Sequence, residues 1–193
     1  MATSQAPTRQ AITLKGSCSL VTEFFKYAAN TVLFQRGVYP SDDFHMVKKY
    51  GQTVLVTQDL ALENYLDRFL VLVIISKDSR VPLERWVFDI NVIEPPSDST
   101  EPSPQKPESE IQAEIRSILK QIVSTVTFLP IIDDPTVFNI LAYTKDSADV
   151  PADEWVDTDP LAIEASKSQQ VKLRSFSTDV HRIEAMVAYR YEG

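Results

Sequence analysis

The chain of 193 residues predicts an α+β domain: three helices layered on one face of a mainly antiparallel sheet. Three observations carry this expectation. Apolar residues recur at helical spacing over 17–35 and 110–126. An apolar run at 69–75 and an alternating run at 83–93 read as strands, and shorter strand-like runs surround them. The order of these elements favours a single α+β unit, and the sequence has no internal repeat.

Residues 1–11 read as a mobile tail, and Ile12 to Lys15 as a short strand. The first helix follows from Leu20, Val21, Phe24, Phe25, Ala28, Val32 and Leu33, with Gly37 and Pro40 as its stop. Residues 44–50 and 53–57 flank Gly51-Gln52 and predict a β-hairpin. Asp59 is placed to cap a helix running to about Arg68, with Leu62, Tyr65, Leu66 and Phe69 on one side. The run at 69–75 is apolar on both faces, as a buried central strand should be. In 83–93, Trp86, Phe88, Ile90 and Val92 face one way and Arg85, Asp89 and Asn91 the other. Residues 94–109 are rich in proline and poor in apolar residues, which predicts an extended or disordered loop. Ser109 and Gln112 form a capping-box pattern ahead of the stripe Ile111, Ile115, Ile118, Leu119, Ile122 and Val126. Strands are expected at 136–144, 171–177 and 180–191, with an irregular acidic stretch containing Trp155 between the first two.

Composition narrows the function classes. With 27 acidic and 19 basic residues the net charge is −8, which disfavours nucleic acid and anionic membranes as general partners. The single cysteine, Cys18, suits a reducing compartment. No signal peptide is evident at the N-terminus, so a soluble intracellular protein is expected. The 4 glycines are dispersed, which leaves no phosphate-binding loop or dinucleotide fingerprint. One cysteine and two histidines, His45 and His181, cannot build a tetrahedral zinc site of those ligands. No cofactor is implied.

Catalytic constellations are weak. His181 with Asp179 and Ser175 or Ser177 lacks a nucleophile elbow, and a surface Asp179–His181 ion pair is the better reading. Asp133 and Asp134, followed by Pro135, read as turn residues. Cys18 has no neighbouring histidine or thiol to activate it. The acidic segment 145–170 is long for a compact domain, and such loops are usually functional or disordered.

Four separated stretches, FFKYAANTVLFQRGVYP (24–40), LERWVFDI (83–90), EIQAEIRSILKQIVSTVTFLP (110–130) and LRSFSTDVHRIEAMVAY (173–189), occur in an order that resembles one family. It is the HORMA-domain family of the spindle assembly checkpoint, the second of the mitotic arrest deficient proteins. The resemblance covers the chain from about residue 12 to its last residues. It implies one HORMA domain over 12–193 with no catalytic activity, whose segment 145–191 is a mobile safety belt. In an open form the closing strands cover the strand at 136–144. In a closed form they cross to pair near 83–93, and a partner peptide joins the 136–144 strand beneath the belt.

The resemblance implies peptide contacts at Phe138, Ile140, Leu141 and Tyr143, with Trp155 inside the belt. It places belt-strand positions at Leu173, Phe176, His181, Val187 and Tyr189, and open–closed self-dimer contacts at Arg116, Lys120, Gln121 and Phe128. The implied partners are a kinetochore coiled-coil checkpoint protein, the β-propeller co-activator of the anaphase-promoting complex, a second copy of the chain, and an AAA+ remodeller with its adaptor. The implied locations are nucleus, kinetochore and cytoplasm. A HORMA adaptor of a translesion DNA polymerase, using the same peptide capture, is the alternative. Two departures stand out. Lys120 replaces an arginine, which removes a bidentate fork. The family's middle helix continues roughly four turns beyond the position matching Arg68, whereas here the buried strand follows at once, so exposed apolar sheet surface or a different local path is expected.

Overall fold

A computed structural model of the chain describes residues 14–60, 62–63, 71–93, 106–142 and 158–191. In chain order the elements are helix α1 (Leu14–Gln35), strands β1 (Phe44–Lys49), β2 (Gln52–Thr57), β3 (Val71–Ser76) and β4 (Pro82–Val92), helix α2 (Glu108–Ser124), and strands β5 (Thr136–Leu141), β6 (Ser168–Ser177) and β7 (His181–Arg190). β1 and β2 form a two-stranded hairpin, and the other strands form an antiparallel sheet in the order β5-β3-β4-β7-β6. The α+β class and the antiparallel sheet agree with the sequence. Among the described residues there are two α-helices rather than three. The expected middle helix is represented by Leu60, Leu62 and Glu63, and Asp59 caps it as expected, its Oδ1 accepting the Leu62 N–H at 3.3 Å.

Both helices pack on one face of the sheet. Phe24, Ala28, Val32 and Leu33 of α1 and Ile111, Ile115, Ile118, Leu119 and Ile122 of α2 are fully or almost fully buried, which is the apolar stripe each sequence spells out. Phe24 stands edge-on to Phe88 of β4 and Phe176 of β6, at ring-centroid distances of 5.8 and 4.9 Å. One helix residue therefore ties the middle of the sheet to its outer strand β6. The opposite face carries a second apolar cluster of Val71, Val73, Ile75, Val87 and Leu141, against which Val137, Met186 and Leu161 pack.

The structure corrects several local expectations. Leu14 and Lys15 belong to α1 and not to a strand, because four residues are too few for a period to distinguish the two and the helix gains tertiary partners at Ser17. The capping box at Ser109 does not form. α2 starts two residues earlier, at Glu108, with extended Pro107 as its N-cap, whose carbonyl accepts the N–H groups of Glu110 and Ile111. Ile90 and Val92, expected on the buried side of β4 with Trp86 and Phe88, are exposed, although their partners on β7, Ile183 and His181, are buried. Every residue of β3 is buried, so the exposed apolar surface expected from a short middle helix does not occur on this strand. The expectations at 1–11, 64–70, 94–105 and 143–157, Tyr143 and Trp155 among them, lie outside the described residues.

Candidate functional site

β5 ends the sheet on one side and the β6–β7 hairpin ends it on the other. β5 pairs with β3 in a register of Leu141 opposite Val71, Ile140 opposite Leu72 and Phe138 opposite Ile74. Alternation then sends Phe138 and Ile140 toward the helical face and Val137 and Leu141 toward the second face. The Tyr39 ring stands across Phe138, centroids 5.9 Å apart. A cleft of about 420 Å³ opens at the start of β5, lined by Tyr39, Pro40, Ile132, Asp134 and Thr136 among others. Phe138, Ile140 and Leu141 are thus brought onto one strand.

The approach to β5 is anchored by a buried charge pair. Arg36, just beyond α1, donates from Nε to Glu84 Oε1 at 2.8 Å and from Nη2 to the Pro130 carbonyl at 2.5 Å. Trp86 Nε1 donates to the other Glu84 oxygen at 3.0 Å. The two charged side chains are only 5% and 3% exposed. Burial pushes the Glu84 carboxyl above its ordinary range, and the Arg36 charge and hydrogen bond oppose that shift. Lys77 N also donates to the Pro135 carbonyl at 2.9 Å. Sequence reasoning missed this pair. Neither partner alone signals burial, although Arg36 and Glu84 both sit inside the quoted family stretches.

The terminal hairpin docks through β7 on β4, from Glu84 opposite Tyr189 to Val92 opposite His181. Leu173, Phe176, His181, Val187 and Tyr189 are all buried there. The expected Asp179–His181 surface pair does not form, because the turn between β6 and β7 separates the two side chains. His181 is buried with Nδ1 2.7 Å from Ser17 Oγ, and Ser17 Oγ is 2.6 Å from Thr178 Oγ1. Asp179 Oδ1 instead accepts the Lys106 N–H at 2.9 Å. Ser17 is completely buried, so this Ser–His contact joins α1 to the hairpin turn and offers no access to a substrate. Ser177 Oγ accepts from Lys106 Nζ at 3.1 Å.

α2 grips the outer strand of the hairpin. Glu114 Oε2 accepts the Ser177 N–H at 3.1 Å and Lys106 Nζ at 2.5 Å. Ser117 Oγ accepts from Arg174 Nη1 at 2.6 Å, and Gln121 Oε1 accepts the Arg174 N–H at 2.7 Å. Of the expected self-dimer residues, Lys120 and Phe128 are exposed, Gln121 is half-buried in the contact just described, and Arg116 is half-buried with its guanidinium over Gly51 of the β1–β2 turn. Phe128 borders a cleft of about 610 Å³ that also includes Ile131, Tyr189 and Tyr191. Asp133 and Asp134 lie exposed in the connection to β5, and Cys18 is exposed on α1. No group of His, Cys, Asp and Glu suited to a metal occurs among the described residues.

Comparison with known proteins gives a consistent result. The HORMA domain family matches residues 17–181. The mitotic spindle assembly checkpoint protein MAD2A of Dictyostelium discoideum is 46% identical, covering 93% of this chain and 93% of that protein. A chain in the crystal structure of the mitotic checkpoint complex superimposes with a TM-score of 0.78 at 40% identity, over 91% of this chain and 99% of that one. Caenorhabditis elegans HTP-1 bound to HTP-3 motif-1 shares the fold, with a TM-score of 0.75 at 14% identity over 93% and 92% of the two chains.

Proposed function

Because the chain belongs to the HORMA domain family, and within it to the mitotic spindle checkpoint proteins, we propose that it works by closing its C-terminal segment over a partner peptide that joins β5. It is a non-catalytic binding protein of the spindle assembly checkpoint, and its relatives favour this over the translesion-polymerase adaptor reading. The observation that carries the mechanism is the strand order. The β6–β7 hairpin docks on β4, at the opposite side of the sheet from β5, which is the order expected of a closed form. A peptide strand added to β5 gains affinity from main-chain hydrogen bonds and specificity from alternate side chains, those of Phe138 and Ile140 on one face and Leu141 on the other. The family resemblance adds Tyr143 and, within the segment 145–191, Trp155 to the proposed peptide contacts; both lie outside the described residues.

The partners that fit are proteins: a kinetochore coiled-coil checkpoint protein and the β-propeller co-activator of the anaphase-promoting complex, each presenting a peptide with a basic first residue, apolar middle and closing prolines. The acidic segment 145–170 of the belt suits that basic residue. A second copy of the chain meets α2 around Arg116, Lys120, Gln121 and Phe128, and an AAA+ remodeller with its adaptor reopens the closed form. With such partners the protein would work at kinetochores, in the nucleus and in the cytoplasm. Amide hydrogen exchange with and without a synthetic peptide of that pattern tests the reading. Slowed exchange at 136–141 and 171–191 is expected. Identical exchange in both samples, from a chain whose β3 and α1 amides are protected, overturns it.

A further inference from the structure

Strand β6 contains a bulge. Lys172 pairs with Met186 and Ser175 with Glu184, so Leu173 and Arg174 together stand opposite Ala185. The extra residue changes the parity of the strand. Leu173 and Phe176 are three apart, yet both are buried on the helical face, which a regular strand with its period of two forbids. The hairpin's two largest inward anchors on β6 therefore depend on the bulge being at this position. A bulge also takes a backbone N–H out of the ladder. At Arg174 that N–H is received by Gln121 Oε1 at 2.7 Å, while Ser117 Oγ, one turn earlier on α2, receives the Arg174 guanidinium at 2.6 Å. Glu114, seven residues before Gln121 on the same face, receives the Ser177 N–H just past the bulge.

We propose that Gln121 is a positioning residue for the terminal hairpin. Its side-chain carbonyl accepts the N–H released by the β6 bulge, and so fixes the register in which the hairpin docks. A hairpin shifted by one residue presents no released N–H to Gln121 and turns Leu173 or Phe176 out of the core. The consequence for self-association rests on the α2 face proposed above. A change at Gln121 reaches a second copy through the hairpin as well as at the α2 face, whereas a change at exposed Lys120 acts on the contact alone.

The test is hydrogen exchange of the full chain at monomer concentration, without peptide, in the wild type and in Gln121→Met, Gln121→Glu and Lys120→Ala. Methionine keeps the length and loses the acceptor, and glutamate keeps the acceptor. Gln121→Met should raise exchange over 172–177 by at least about fivefold, the loss of one hydrogen bond, with β3 and α1 unchanged. Gln121→Glu and Lys120→Ala should match the wild type. Unchanged exchange in Gln121→Met, no rescue by glutamate, or a rise spread equally over β3 and α1 each overturns the proposal. Sedimentation of the same variants separates the two readings. Weakened self-association in Gln121→Met with intact 172–177 protection makes Gln121 a direct contact. A wild type that does not self-associate removes the α2 face while leaving the register result standing.

Discussion

Replacing Arg36 by methionine removes one half of the charge pair beneath the approach to β5. Glu84 is left 3% exposed, with Trp86 Nε1 as its remaining hydrogen-bond donor. It can stay charged in a poorly solvated site or take up a proton. Protonation sets the upper limit of the penalty. Against an ordinary value of 4.5, holding the group neutral at pH 7 costs about 3.4 kcal/mol, at roughly 1.36 kcal/mol per pH unit. Losing the bond to the Pro130 carbonyl adds about 1 kcal/mol. The expected loss is therefore at most about 4.4 kcal/mol, within the range of about 3–5 kcal/mol for breaking a buried pair by removing one partner. The sign with pH follows from the direction of the shift. A carboxyl whose folded value is raised contributes most below its unfolded value, and that contribution is lost as pH rises through the folded value. Without Arg36 to oppose it, the rise grows, so the destabilisation should shrink between pH 7 and pH 5. Adding Glu84→Gln removes the uncompensated charge and should recover more than half of the loss. Urea unfolding of wild type, single and double variants at both pH values provides the measurement. A loss below about 1 kcal/mol in Arg36→Met, or one equal at pH 5 and pH 7, would show that the pair does not anchor this part of the fold.

Other substitutions probe the remaining links. Gly51→Ala forces a side chain into a backbone at φ +68° and brings its Cβ to 3.0 Å from the Arg116 guanidinium. It should cost about 1–2 kcal/mol in thermal unfolding, with the Arg116 side chain yielding. His181→Ala removes the bond to Ser17, with an expected loss of about 1–3 kcal/mol and faster exchange confined to the hairpin and the first turns of α1; unaltered hairpin exchange contradicts the contact's role. Phe138→Ala should weaken capture of a basic–apolar peptide about tenfold or more in a titration while leaving self-association intact. Lys120→Glu should do the reverse, and equal losses in both assays would mean that the two surfaces are not separate.

The buried stripes of both helices, the β1–β2 hairpin, the fully buried β3 and the alternation at Trp86 and Phe88 were legible in the sequence, since each follows from a local period of apolar residues. The family stretches likewise overlap α2 and the two strands of the terminal hairpin. Features that depend on residues far apart in the chain were not legible. Ser17 and His181 are separated by 164 positions, and Arg36 and Glu84 by 48. Asp179 seemed the natural partner for His181 only because it is near in sequence, whereas the turn between β6 and β7 directs it to Lys106.

What the sequence determined by itself, then, is the local pattern: which segments are helix or strand, which faces are apolar, and which family the pattern resembles. The tertiary structure alone decided where the hairpin sits in the sheet and in what register. Read with a period of two, 171–177 sends Leu173 and Phe176 to opposite faces. The bulge at Leu173 and Arg174 puts both in the core, and it stands beside a glutamine more than fifty positions earlier that accepts the N–H it releases. Strand order and bulge placement depend on contacts between distant segments, and the periodicity of one segment carries no information about its neighbours.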